Sequence, residues 1–153
     1  MMKQKVYTDR AGTQATILFS AREEGSLASL LVYRAQYPET TRGMAIAPII
    51  AVREGNFFDP GAERVKTLPL VRAGSQGQSK LEYGLYQHYK GREYTLICFG
   101  TRAETMDDVI VYQARYIDEE LGAFPIFVRS LRDFEGAVSW QEKTVQRFTF
   151  LGK

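Results

Sequence analysis

The sequence predicts an all-β protein built as two tandem small barrels or rolls of antiparallel strands, and three observations predict it. The chain matches itself, with Val32-Tyr33-Arg34-Ala35-Gln36-Tyr37 against Val111-Tyr112-Gln113-Ala114-Arg115-Tyr116. Its apolar runs are short, rich in β-branched and aromatic residues and bounded by Gly and charged turns, as strands are. Between the two matching halves, Arg72-Ala73-Gly74-Ser75-Gln76-Gly77-Gln78-Ser79-Lys80 has the Gly/Ser/Gln composition of a flexible linker. The expected organisation is residues 1–71, a linker at 72–81, and residues 82–153.

The elements follow from the self-match. Upstream, Ile17 meets Ile97, Phe19 meets Phe99 and Arg22 meets Arg102 at a spacing of 80, which implies one residue fewer in the second copy between Arg102 and Met106. Downstream, Ile46-Ala47-Pro48-Ile49 aligns with Val128-Arg129-Ser130-Leu131, implying a longer loop after Tyr116 than after Tyr37 and setting Ala47 opposite Arg129. Val65 to Val71 then faces Val145 to Leu151. Ser26 to Val32 alone could pass for helix, since short apolar runs are ambiguous. Its counterpart Val109-Ile110-Val111-Tyr112 is β-branched and aromatic, so both are assigned to strands. In the second copy the expected strands are Thr95–Gly100, Val109–Tyr116, Ala123–Leu131 and Val145–Leu151. With no helical crossover, these form an antiparallel meander that curls to remove its edges.

Composition narrows the function. Hydrophobic residues make up 44% and charged residues 25%, the balance of a globular protein. Net charge is +2, divided as 10 basic and 7 acidic residues up to position 75 and 10 and 11 beyond it, which is no polycation built for phosphate neutralisation. The one cysteine, Cys98, lies in an apolar run and is expected to be a reduced core residue. The N-terminus leads into no apolar signal segment and no run reaches membrane-spanning length, so the expected location is cytoplasmic, without membrane partners.

The second half resembles a known family, the bacterial domain of unknown function numbered 1653. The likeness rests on Tyr86-Gln87-His88-Tyr89-Lys90-Gly91, Thr101-Arg102-Ala103-Glu104-Thr105, Val111 to Tyr116, Phe127 to Glu135, and Val145-Gln146-Arg147-Phe148. Phe127 stands where the family has tryptophan, Ser130 where it has proline and Asp133 where it has methionine, and the turn at Thr101–Thr105 is one residue short. The resemblance implies an SH3-like roll or barrel and no established activity. In the first half Tyr7-Thr8-Asp9-Arg10-Ala11-Gly12 replaces the Tyr-x-His-Tyr-Lys-Gly signature, so that copy reads as scaffold or partner surface.

Candidate ligand-binding residues are Tyr86, His88, Tyr89, Lys90, Arg102, Glu104, Tyr112 and Arg129. Strand alternation would set Tyr86, His88 and Lys90 on one side and Tyr89 on the other. Aromatic rings beside basic groups can stack bases or clasp a peptide. Arg102 and Arg129 can fork a carboxylate or phosphate, or equally tie a turn to a neighbouring strand through Glu104. His88 is the lone histidine and no close set of zinc ligands exists, so no metal, cofactor or catalytic residue is expected. Asp107-Asp108 and Asp118-Glu119-Glu120 read as solvated turns. The leading expectation is a non-enzymatic module for a protein or peptide, with nucleic acid as a sub-case. A small enzyme using the His/Arg/Glu cluster and a structural homodimer are the alternatives.

Overall fold

A computed structural model describes residues 6–8, 12–38, 49–54 and 81–153. The strands of the first half are β1 (Val6–Thr8), β2 (Gln14–Glu23), β3 (Ser29–Gln36) and β4 (Ile49–Glu54). The second half forms β5 (Leu85–His88), β6 (Glu93–Arg102), β7 (Asp108–Ala114), β8 (Ile117–Asp118), β9 (Gly122–Ala123), β10 (Ile126–Ser130), a one-turn helix α1 (Leu131–Glu135), β11 (Ala137–Trp140), β12 (Lys143–Gln146) and β13 (Phe148–Gly152). The protein is all-β apart from α1 among the described residues, and no helix there is long and apolar enough to cross a membrane. The segment Val65–Val71, residues 72–80 of the linker and Ile46–Pro48 lie outside the described residues.

The described strands do not form two separate barrels. Antiparallel pairings β2–β3–β4 and β6–β7–β10 are joined by two short parallel pairings, β4–β6 and β10–β2, which close six strands into one hydrogen-bonded ring. Alternation then gives every ring strand two buried faces. Inside the ring, Ala21, Leu30, Val32, Val52, Val109, Val111 and Val128 share one core supplied by both halves. On the outer faces, Tyr7, Tyr33 and Ala51 centre one cluster, and Tyr86, Tyr94, Tyr112, Phe127, Phe134 and Phe148 another. This is why β7 reads Val-Ile-Val-Tyr without a polar residue: a strand covered on both sides has no solvent face to mark. Each core Val or Leu contributes about 1.5–3 kcal/mol by leaving water.

The same pairing pattern occurs twice. Tyr33 and Tyr112 lie opposite Ile17 and Leu96, and Tyr7 and Tyr86 lie opposite Ala15 and Tyr94, all at a spacing of 79. A bulge interrupts β2 at Leu18 and β6 at Ile97, again 79 apart. In the following turns, Leu27 N–H donates to Glu23 O at 2.9 Å and Met106 N–H to Arg102 O at 2.8 Å, with Leu27 and Met106 at φ 61° and 64°. Bulky residues rarely adopt that left-handed conformation, and here it recurs at equivalent places.

These registers correct the self-match. The β2/β6 spacing is 79 rather than 80, and the two turns have equal length, so no residue is missing before Met106. Val32 pairs with Val52 as Val111 pairs with Val128, a spacing of 76 on the third strand. The connection after Tyr116 is therefore shorter than that after Tyr37, and Arg129 is answered by Arg53, not Ala47. Hydrogen-bond register decides equivalence, whereas chance identities such as Phe19 with Phe99 misled the alignment by one residue.

Three expected strands are shortened or broken: Val109–Tyr116 stops at Ala114, Ala123–Leu131 is interrupted between Ala123 and Ile126 and stops at Ser130, and Val145–Leu151 divides into β12 and β13. Leu131 opens α1, because the Ser130 hydroxyl caps the turn by accepting from Asp133 N–H at 3.1 Å. Val145–Leu151 is broken at Arg147, whose N–H donates to Gly136 O and whose carbonyl accepts from Tyr89 N–H. In the second half, β13 pairs with β5, giving the antiparallel order β13-β5-β6-β7-β10 around its aromatic core.

Candidate functional site

The eight sequence-derived residues divide into three groups by their surroundings. Tyr86 and Tyr112 are core residues: Tyr86 donates its hydroxyl to Glu82 O at 2.6 Å and packs on Phe134, and Tyr112 is fully buried against Tyr94, Phe134 and Phe148.

Arg102, Glu104 and Arg129 hold the seams between the halves. Arg129 forms an ion pair with Glu24 at 2.9 Å, and its Nε also faces Glu24 at 3.3 Å and the Tyr112 hydroxyl at 3.4 Å. Arg102 pairs with Glu23, and Glu104 Oε1 accepts from Glu54 N–H at 3.0 Å. Glu23 and Arg102 occupy equivalent places in the two pairing patterns, so one position carries opposite charges in the two halves. Two identical copies would set like charges together there. Glu24, which no sequence motif singles out, is the partner that fixes Arg129.

His88, Tyr89 and Lys90 form an open corner. β5 ends at His88, and the chain reverses through Tyr89-Lys90-Gly91, with Gly91 at φ 105° and its N–H donating to His88 O at 2.7 Å. Strand alternation therefore stops at His88, and Tyr89 is not on the opposite face: its ring lies 4.3 Å from the His88 ring. Lys90 N–H donates to His88 Nδ1 at 3.2 Å, which makes Nδ1 an acceptor and puts the neutral ring's proton on Nε2. The ring also packs edge-on against Phe148 at 5.1 Å.

Trp140 completes the corner. It sits at the tip of the β11–β12 hairpin, whose Gln141 and Glu142 both have positive φ, the signature of a tight two-residue turn. Its ring meets Tyr89 at 5.2 Å and 68°, and Lys90 Nζ lies 5.8 and 5.7 Å from the Tyr89 and Trp140 ring centres. Trp140 is 37% exposed. The one cue in the sequence was a single tryptophan in the polar run Ser139-Trp140-Gln141-Glu142, where no core demands it.

Burial, and after it the charges of Arg129, Arg147 and Lys90, hold the His88 pKa down at about 4. In the unfolded chain it titrates near 6.5. The unfolded state thus binds more protons between these values, so the stability His88 contributes is complete above pH 6.5 and is lost as pH falls towards 4. His88 is partly exposed, and screening trims the loss to about 1–2 kcal/mol. Urea titrations from pH 7 to 4.5 are expected to show this slope in the parent and not in His88→Gln; equal slopes would refute it.

The remaining reactive groups have plainer settings. Cys98 lies against the shared core, and burial pushes its thiol up to about 11. Asp118 accepts from Glu120 and Leu121 N–H at 2.8 and 2.9 Å, bonds that lower its pKa as they shape the turn. A cavity of about 510 Å³ lies beside Asp107, Asp108 and α1. Among the described residues no group of three or more His, Cys, Asp or Glu is arranged to hold a metal ion.

No curated protein matches the chain. Among solved structures, the crystal structure of a protein from Bordetella bronchiseptica belonging to DUF1653 is 29% identical, with 48% of this chain and 90% of that one covered at a TM-score of 0.43. Residues 84–150, the stretch that holds His88, Tyr89, Lys90, Trp140 and Arg147, match the family described as Protein of unknown function (DUF1653).

Proposed function

We propose that the chain is a non-enzymatic binding module, an internal duplication of a small SH3-like barrel fused into one body, with its ligand surface at the His88–Tyr89–Lys90–Trp140 corner. The observation that carries the reading is Trp140, an apolar ring left partly in water on a tight hairpin and packed on Tyr89 under a lysine ammonium. Large apolar groups held rigid and half-wet are the anchors that recognition surfaces use. The repeated register and the strand order of the second half support the duplicated barrel.

Protonation favours binding over catalysis. A general acid or base works best with a pKa near the operating pH, and His88 lies well below it. Cys98 is a half-buried thiol with its pKa raised, the opposite of an activated nucleophile. Peptides displayed on an array and probed with the full chain test the reading. Tyr89→Ala and Trp140→Ala are expected to lose the captured peptides while stability in urea changes by about 1 kcal/mol or less. Array signals that survive both substitutions would overturn the proposal.

A further inference from the structure

The ligand class can be read from the shape and charge of the same corner, and this step rests on the binding reading above. The Tyr89 and Trp140 rings stand edge to face, with centres 5.2 Å apart. A flat base inserted between two rings needs two van der Waals gaps of about 3.5 Å each, so this pair has no room for an intercalated base. What the pair offers is the exposed surface of Trp140 beside a lysine ammonium, against which the side chains and backbone of an extended peptide can lie.

Charge selects among peptides. Lys90 extends over both rings, and the backbone of Arg147 is tied to the same turn by Tyr89 N–H. The Arg147 Nε donates to Asp133 O at 3.1 Å, and the guanidinium lies close enough to His88 for its charge to act on that ring. Arg129, the third cation near His88, is already engaged by Glu24. One cation over the rings and a second beside His88 match one or two carboxylates. They are too few for a polyphosphate track, whose affinity comes from many neutralised charges. We infer that the corner binds an extended acidic peptide segment, its carboxylates meeting Lys90 and Arg147 and its adjoining residues lying against the exposed face of Trp140.

The chain contains a single tryptophan, so intrinsic tryptophan fluorescence reports on this corner alone. Titrating the full chain with poly-L-glutamate is expected to change Trp140 emission saturably and less tightly as salt rises. Lys90→Ala is expected to weaken the response about tenfold, and Lys90→Arg to retain most of it. Poly-L-lysine serves as the opposite-charge control. Poly-uridylate moving the emission where poly-L-glutamate does not would overturn the acidic-peptide class and leave the corner as a binding surface. Poly-L-glutamate without effect, while array capture still depends on Trp140, would do the same. Silence from every polymer together with array signals indifferent to Trp140 would remove the binding reading itself.

Discussion

Val32→Asp is expected to unfold the whole chain, with Trp140 emission in the other half changing along with the circular dichroism of the strands. Val32 is fully buried in the core inside the ring, where its neighbours are the valines of both halves. A carboxylate there has no cation and no hydrogen-bond donor to replace its water. Burying an unpaired polar or charged group costs several kcal/mol, comparable with the 5–15 kcal/mol that holds a typical domain folded. The milder Val32→Ala is expected to lower the urea midpoint read at Trp140 by an amount equivalent to about 1–3 kcal/mol. Independent barrels would leave the Trp140 transition where it was in both variants, and that result would refute a shared core.

The second large effect is expected at Arg129. Arg129→Ala removes both contacts to Glu24 and the contact to the Tyr112 hydroxyl, leaving a carboxylate whose side chain is only 19% exposed without its cation. Breaking a buried pair from one side typically costs 3–5 kcal/mol, and the partial exposure here lowers the expectation to about 2–3 kcal/mol. The double variant Arg129→Met with Glu24→Leu is expected to recover most of that loss, because two apolar groups leave no orphaned charge. Urea denaturation of the parent, Arg129→Met, Glu24→Leu and the double variant measures the coupling directly. Additive losses would mean that the two side chains do not act as a pair.

Much of the fold was legible in residue types. β-Branched and aromatic runs marked the strands, and Val-Tyr-x-Ala-x-Tyr marked the repeated strand, because β3 and β7 fill equivalent places with buried Tyr33 and Tyr112. The joining of the halves was not legible. Parallel pairings such as Arg22 with Phe127 and Ala51 with Thr101 join strands far apart in sequence and leave no local periodicity, and their trace was the lack of a polar face in Val109–Tyr112. The third strand was misaligned because Ile49–Val52 and Pro125–Val128 share little beyond apolar character, so only the ladder reveals that they correspond. At the candidate site, the density of rings and cations from Tyr86 to Lys90 was visible in one stretch. Trp140 comes from a hairpin some fifty residues later, and its packing on Tyr89 is a tertiary fact.

The parallel seams also set an order of events during synthesis. β1 covers one end of the outer edge of β2, but Arg22 and Glu23 at the other end pair there with Phe127 and Val128, so that stretch of edge stays open until β10 has left the ribosome. β4 waits likewise for Thr101 and Arg102. Contacts so distant along the chain slow folding, and open strand edges invite pairing with other molecules. The growing first half therefore passes through an interval in which its inner valines and its two outer edges await the second, and the ring can close only once β10 is made.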